Sequence, residues 1–523
     1  MTEKRMSIDS PLTHGLLLAI ALGIFLAITL KFVDLPFVWR YDYPSAHNST
    51  NAIDHIQYGL SVTKGALVRN ANPTVPEHLV ISTHHPPLLS LLVAASYAVF
   101  GIHEAAARGL MVFFSALNIL LLYGACRLLI DKTTALISTL IFALLPLQII
   151  YATKVNFEPM ILTFVLGALV AYGLWLRHPS ISRFAILATS YCLGCAVDWG
   201  GYYIGGILPA FHFLNLLYQR KEIHRSDYIL WTLPLLGVAM FALFIGHLYW
   251  VDPQLLHQLG ELAAKRSGFD HAYNVDGFSN FSLLERTISR SASLFTFPVF
   301  LLGIAGLLFS SAKLVGTRRG TQDEAQFILL LWVLGVTHLV VFRHVYWVHE
   351  FLVHTLMVPF AVSAGWLIGK LPRLLTPRKF LAALVIFTLC FLPLSLLESR
   401  EKLWDGQIAE ILKLSKFLNK AVPRGAIIFT TASHHPFLHP AVPHYARRDV
   451  LEDIETVKAL QDQMKLWPNS PKYLMIYTGP STNTAAVRDL AAYMANHYQS
   501  VKTPWGLLYK ISDPSSDTAP STL

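Results

Sequence analysis

The amino-acid sequence predicts an α-helical polytopic membrane protein of about eleven spans, with interfacial helices in outer loops and a small C-terminal α/β soluble domain. Three observations predict it. Of 523 residues, 54% are hydrophobic and only 14% charged, and the mean hydropathy is +0.47, which excludes an ordinary soluble globule. The apolar residues run continuously for close to the ~20 that a helix needs to cross hydrocarbon, without the strict alternation of a barrel strand. The net charge of +9 is carried by Lys and Arg in short loops between these runs. That is the distribution of positive-inside topology, not of a basic stripe for nucleic acid, so no nucleic-acid partner is expected.

In order, Met1–Ser10 carries Lys4 and Arg5 and is expected in the cytoplasm. Leu12–Val33 lacks a small-residue cleavage site before Pro36 and reads as a retained anchor. It delivers a long loop, 34–108, to the outer face. Within this loop the stretch Pro86–Phe100 is apolar for only about fifteen residues, too short to span, and reads as an interfacial helix. Charge supports that choice. With Pro86–Phe100 not crossing, Arg127/Lys132, Arg177/Arg183, Arg220/Lys221/Arg225, Lys313/Arg318/Arg319 and Lys370/Arg373/Arg378/Lys379 all fall inside; with it crossing, all fall outside.

The later spans are Gly109–Leu129, Thr134–Ile150, Met160–Leu176, Phe184–Val197, Ile204–Leu217, Ile229–Trp250, Ala292–Ser310, Phe327–Phe342, Phe351–Ile368 and Phe380–Leu397. Residues 1–397 thus form the membrane domain, with a second long outer loop at 251–290. Residues 398–512 form the soluble domain, in which Ile408–Leu418 and Thr484–Tyr498 have helical periodicity and Ala426–Thr430, Tyr473–Tyr477 and Gly506–Ile511 read as strands. The Ser, Thr, Pro and Asp of 513–523 read as disordered. Cys126, Cys192, Cys195 and Cys390 sit in apolar segments, so the Cys192-Leu-Gly-Cys195 spacing reads as small-residue helix packing and not as a redox pair. Asn48 and Asn280 begin Asn-x-Ser/Thr sites on the expected outer face.

Acids in unusual places converge on that face: Asp42 and Asp54 in the first loop, Glu158 at the mouth of a span, Asp198 at the end of another and Glu350 at the start of a third. Each carries a cost among apolar flanks. Glu158 has a plain alternative, an interfacial pair with Lys154. The stretch Asp198-Trp199-Gly200-Gly201-Tyr202-Tyr203 suits a sugar-stacking platform as well as an ordinary aromatic belt. His349 and Glu350 read as pocket residues. His349-Glu350-x-x-x-His354 has one residue too many for a zinc helix, and no phosphate-cradling glycine loop or dinucleotide fingerprint is present.

Asp42, the His85-Pro86-Pro87-Leu88 sequence, the Phe100-Gly101-x-x-Glu104-x-x-x-Arg108 ending and Asn156-Phe157-Glu158-Pro159 after the third true span resemble the GT-C glycosyltransferases. The similar branch includes protein O-mannosyltransferases and lipid A aminoarabinose transferases, and the resemblance covers roughly Leu12 to Phe360. It implies an inverting transfer from a polyprenyl-phosphate-linked sugar to a hydroxyl of an acceptor protein, lipid or glycan. The site would lie at the outer face of a membrane such as the bacterial inner membrane.

By resemblance Asp42 is the catalytic base, although the family's adjacent Asp-Glu is here Asp42-Tyr43, which leaves His47 and Asp54 open as its partner or substitute. Glu158 corresponds to the second-loop acid and orients the acceptor or assists Asp42. His84 and His85, held before two prolines, are expected to bond phosphate or sugar hydroxyls, and Lys154 or Arg343 to neutralise the donor phosphate. A divalent cation bridging Asp42, Glu158 and phosphate is allowed but not signalled by spacing. The rival readings are a lipid-linked-sugar flippase or transporter, disfavoured by the absence of a repeat and of mid-membrane charge, and a non-catalytic relative that binds the lipid-linked sugar.

Overall fold

The computed structural model describes residues 11–39, 41–68, 80–268, 277–316, 323–371, 376–404, 409–431, 440–468, 470–477 and 484–511. Arg40 and 512–523, which include the stretch 513–523 expected to be disordered, lie outside these residues. The chain divides into two compact units. Met1–Leu35, Thr83–Leu89 and Ala105–Leu403 make the first; Pro36–Ser82, Ser90–Glu104 and Trp404–Leu523 make the second.

The protein is a polytopic helical membrane protein. Among the described residues, eight helices are long and apolar enough to cross a membrane: Leu12–Phe32, Glu104–Leu129, Phe157–Arg177, Asp227–Val251, Phe297–Leu314, Glu324–Val341, Glu350–Lys370 and Ala382–Leu403. The three other expected spans occupy shorter or more polar helices, Lys132–Ala143, Ile181–Val197 and Tyr202–Gln219. The first of these stops short because Leu145 turns to an extended backbone and Pro146 starts a new helix, Pro146–Tyr151. Leu88–Phe100 is a helix of 13 residues, too short to span, as its apolar length predicts.

Within the first unit His354–Lys370 is the packing centre, buried along most of its length. Small residues let its neighbours approach, as expected where lipid supplies no drive for helices to associate. A Cβ on Gly365 would lie 2.6 Å from the Ser138 nitrogen, and one on Gly335 would lie 2.6 Å from the Thr355 carbonyl. Trp332 Nε1 donates to Ser363 Oγ at 2.9 Å. At one end Lys370 Nζ meets Asp131 Oδ2 at 3.0 Å and Glu324 Oε2 at 2.9 Å, tying three helix ends together. The four cysteines are free.

In the second unit a two-stranded antiparallel ribbon pairs β1 (Leu67–Val68) with β2 (Ile81–Ser82). A five-stranded sheet follows from β3 (Ile427–Thr430), β4 (Asp449–Leu451), β5 (Lys472–Tyr477), β6 (Ser500–Thr503) and β7 (Gly506–Ile511), in the order β4-β3-β5-β7-β6. β3 runs parallel to β4 and β5; β7 is antiparallel to β5 and β6. Ile427, Phe429, Leu474 and Ile476 bury one face against Leu460, Val487, Leu490 and Met494. β4, β6 and the Val457–Leu466 helix go beyond the elements read from the sequence.

The second unit also holds Tyr43–Thr63, a helix whose buried residues are mostly polar, among them Ser45, Asn48, Ser49, Thr50, Asn51, Asp54 and His55. Asn48 is only 2% exposed, so its Asn-x-Thr sequence is closed to glycosylation in the folded chain; Asn280, one residue after the Ser279 cap, starts the Asn280–Leu294 helix. Burial holds His55 down at about 4 and His444 at about 3. His55 bonds Thr63 Oγ1 at 2.9 Å and Ser90 Oγ at 3.2 Å. Histidines whose folded values lie below the ordinary 6.5 stabilise the fold fully above pH 6.5 and lose that contribution as pH falls.

Two predictions follow from this packing. Gly365→Val forces the His354–Lys370 helix off Ser138 and should lower the thermal midpoint in detergent, at a cost of about 1–3 kcal/mol; an unchanged midpoint would contradict the close approach. The stability difference between wild type and His55→Gln, followed by denaturation against pH, should shrink from pH 6.5 toward 4, by up to about 1.4 kcal/mol per pH unit. A difference independent of pH would mean that His55 is not held neutral.

Candidate functional site

The site is built at the helix ends of the first unit. Arg108, only 1% exposed, sits one turn into the Glu104–Leu129 helix and donates through Nε to the Leu35 carbonyl at 3.1 Å and through Nη1 to the Thr153 carbonyl. The FG-x-x-E-x-x-x-R ending thus has a mechanical role. Its arginine clamps the end of the first span to the loop that carries Lys154, Asn156 and Glu158.

That loop enters the Phe157–Arg177 helix through Asn156, whose backbone is extended. Asn156 Nδ2 donates to Glu158 Oε1 at 3.0 Å. Glu158 is 6% exposed, and its Oε2 is buried without a hydrogen-bond partner. In the first turn of a helix the dipole favours its negative charge, but an unmet buried oxygen still costs about 1–3 kcal/mol. Lys154, in the loop before this helix, is also buried, 3% exposed.

His85 comes from the Pro-Pro turn and stacks on Phe157, with ring centroids 4.0 Å apart. Its Nδ1 meets Asp198 Oδ1 at 2.8 Å. Burial alone would raise Asp198, but the charge and hydrogen bond of His85 outweigh it and hold the carboxyl at about 2. Asp198 is therefore an anion at neutral pH, and it lies close enough to Glu158 to act on it electrostatically. The His84 carbonyl accepts from Trp199 Nε1 at 2.7 Å. His84, His85, Glu158, Asp198 and Trp199 are thus gathered in one place from three distant segments.

Trp199 and Tyr202 spend ring surface on each other, at 6.0 Å, and on Phe241 and Phe244. The Tyr202 hydroxyl is buried without a partner. Gly201 is required here: a Cβ on it would collide with the Gly194 backbone.

The Arg343–Glu350 segment is built differently. Arg343 directs Nε to the Ser267 carbonyl and Nη2 to the Gly268 carbonyl, each at 3.2 Å, which fastens it to the end of the Gln254–Ser267 helix. His349 packs near Phe351 with centroids 5.1 Å apart, and Glu350 Oε2 lies 3.9 Å from Lys402 Nζ. Asp42 belongs to the second unit. It is fully buried just before the Tyr43–Thr63 helix, where its Oδ2 accepts from the Trp39 N–H at 3.2 Å.

Beside the acid cluster lies an open groove lined by Ile161, Leu162, Val165, Leu166, Leu169 and Ile204 and by Leu331, Leu334, Val358 and Pro359. Asp198, Tyr203, His338 and His354 give it polar ground. Tyr203 Oη bonds His338 Nδ1 at 3.2 Å, and the His338 and His354 rings lie 6.4 Å apart. His338 and His354 were not read from the sequence as site residues, although a histidine inside an apolar span was a usable signal. Among the described residues no group of three or more His, Cys, Asp or Glu is arranged to hold a metal ion.

Residues 84–250 match the family model described as dolichyl-phosphate-mannose-protein mannosyltransferase. A sequence search of curated proteins finds no match. The ArnT structure from Cupriavidus metallidurans in the apo state superposes with a TM-score of 0.62 at 13% identity, covering 96% of this chain and 98% of that one. The same protein bound to undecaprenyl phosphate gives 0.62 and 13%, covering 95% and 97%. The apo oligosaccharyltransferase of Archaeoglobus fulgidus gives 0.59 at 14% identity, covering 89% of this chain and 69% of that one.

The clamp is testable by stability. Arg108→Gln should lower the thermal midpoint by an amount corresponding to about 2–4 kcal/mol, because two buried carbonyls lose a charged donor. Arg108→Lys should recover little, since a point-like ammonium cannot meet two carbonyls as a guanidinium does. Wild-type stability in the lysine variant would contradict the clamp.

Proposed function

From a chain that has the GT-C glycosyltransferase fold, we propose an integral-membrane enzyme that moves a sugar from a polyprenyl-phosphate donor to an acceptor hydroxyl on the extracytoplasmic face, with inversion. The observation that carries this reading is the apolar groove whose lining includes Asp198, Tyr203, His338 and His354, Asp198 being also near Glu158. A prenyl chain needs such a trough at membrane depth, and its phosphate needs a polar end.

In this reading the acceptor oxygen attacks the anomeric carbon as the bond from that carbon to the phosphate oxygen breaks. The electron pair of that bond leaves with the prenyl phosphate, and the acceptor proton passes to a carboxylate. Asp42 is assigned as that base, and Glu158 orients the acceptor through its open oxygen. His84, His85 and Lys154 serve the donor headgroup, while Asp198 fixes the ring of His85. Trp199 and Tyr202 border the sugar. His349 and Glu350 bind substrate at the edge of the site, while Arg343 holds their segment to the Gln254–Ser267 helix. Inversion follows from a single displacement without a covalent sugar-enzyme intermediate.

With a polyprenyl-phosphate sugar and a panel of hydroxyl acceptors, Glu158→Gln and Asp42→Asn should each lower turnover on the order of 10²–10⁴-fold while the protein stays folded. Undiminished turnover in either variant removes that residue from the mechanism. Val165→Trp should raise KM for a long-chain donor more than for a short-chain one; an equal effect on both would remove the groove from donor binding.

A further inference from the structure

The first unit holds a second cavity, at the far end of the helix that presents Glu158. Phe157–Arg177 carries Glu158 in its first turn, and Leu176, next to its last residue, lies about 27 Å along the helix from that acid. Here a cavity of about 660 Å³ opens between the ends of Glu104–Leu129, Phe157–Arg177, Tyr202–Gln219, Phe297–Gly316 and Asp323–Val341. Ligand sites commonly have volumes of roughly 300–1,000 Å³. No residue of the transfer site lines this one.

The wall is of two kinds. Leu128, Leu129, Leu176, Phe211 and Phe327 make an apolar side, and Leu176 is 43% exposed, so this side reaches the surface of the bundle. The polar side presents donors. Gln219 Nε2 donates to Asn215 Oδ1 at 2.8 Å and to Gln326 Oε1 at 3.1 Å. With both carbonyl oxygens engaged, Asn215 and Gln326 offer amide nitrogens to the lining. Lys221 and Lys313 add ammonium groups. The left-handed turn at Arg220, φ 54°, brings Lys221 back over its helix end, where its N–H bonds the Leu216 carbonyl at 3.0 Å.

Glu324, the carboxylate among the lining residues, is already engaged. Lys370 Nζ lies 2.9 Å from its Oε2 and Trp366 Nε1 donates to the same oxygen at 2.9 Å, while Lys313 Nζ stands at 3.7 Å. Tyr172 Oη and His212 Nδ1 satisfy each other at 2.9 Å. Four of the five helices end here, and Arg127, Arg177 and Lys313 in their last turns offset the negative dipole ends.

Such a wall selects an amphipathic anion. An apolar chain would desolvate the amides and ammonium groups, a cation would face Lys221 and Lys313, and an inorganic anion would leave the apolar side in water. A phosphodiester accepts hydrogen bonds through charged oxygens, and acyl chains cover apolar wall. Arg127, Lys132, Arg177 and Arg225 lie at this end of the bundle. The charge rule assigns that face to the cytoplasm, where anionic lipids collect and basic pockets between spans hold their headgroups.

We propose that this cavity binds the phosphodiester headgroup of an anionic phospholipid from the adjacent leaflet, with the start of an acyl chain on Leu176. The site is independent of the transferase reading, since its test involves neither donor, acceptor nor turnover.

The test is native mass spectrometry of the full chain in detergent, titrated with dioleoylphosphatidylglycerol and, separately, with dioleoylphosphatidylcholine or sn-glycerol 3-phosphate. The wild type should hold phosphatidylglycerol at least tenfold more tightly than phosphatidylcholine, and glycerol 3-phosphate should not displace it. Lys221→Glu changes an exposed side chain and Leu176→Trp places a larger ring at the mouth; each should weaken retention at least tenfold. Lys132→Glu, the same charge change on an exposed lysine outside the lining, should leave it unchanged. Phosphatidylglycerol should also raise the thermal midpoint of the wild type and of Lys132→Glu, and not that of Lys221→Glu.

Equal retention of the two lipids, or a loss in Lys132→Glu as large as in Lys221→Glu, would overturn the proposal, because either means diffuse attraction to a basic surface. Displacement by glycerol 3-phosphate would overturn it by making a soluble phosphate the ligand, and retention indifferent to both cavity variants would place the lipid elsewhere.

Discussion

A charge inside an apolar helical body must find a partner, and in the first unit that requirement is met where His85 Nδ1 and Asp198 Oδ1 approach to 2.8 Å. The rest of the site follows from this contact. His85 arrives from a turn stiffened by two prolines, Asp198 from the junction of two helices, and the ring beneath His85 belongs to Phe157, the residue before Glu158. Asp198 is buried and this contact gives its carboxylate a hydrogen-bond partner, so the contact holds these segments in place. Arg108 does the same from the other side, fixing the loop before Glu158 by its carbonyls. Glu158 is thus set beside segments that are fixed at both of these contacts and is bonded to Asn156 Nδ2.

The groove beside that cluster depends on how the helices pack. Where glycine lets backbones meet, as at Gly365 against Ser138, the bundle is solid. Leucine, isoleucine and valine from Phe157–Arg177, Asp323–Val341 and His354–Lys370 instead line a trough. Its wall is apolar along most of its length and polar where Asp198, His338 and His354 face it. An amphipathic ligand with a long hydrocarbon chain has the same division.

Much of this was legible in the sequence. Span-length apolar runs and the distribution of Lys and Arg led to a helical membrane protein, and the shortness of Pro86–Phe100 led to a helix that does not cross. Glu158, Asp198 and His85 stood out as ionisable residues among apolar neighbours, and the structure brings them together. Other features left a weaker trace. Tyr43–Thr63 is a helix buried by polar residues, so no apolar stripe announces it, and Ser45, Asn48 and Asn51 read as loop. β4 is three residues long and alternates with nothing. Arg343 looked like a free outer cation because sequence does not reveal that its guanidinium is spent on the Ser267 and Gly268 carbonyls.

In the proposed reading the groove of the first unit holds a prenyl chain with its phosphate toward His85 and Lys154. Photolabelling measures this most directly, using a polyprenyl phosphate that carries a diazirine near its phosphate end and peptide mapping of the adducts. Adducts should concentrate in Phe157–Arg177, Glu324–Val341 and His354–Lys370 and be competed away by unlabelled polyprenyl phosphate. Labelling confined to the lipid-exposed Pro377–Trp404 helix, or spread evenly over all spans and indifferent to competitor, would contradict it.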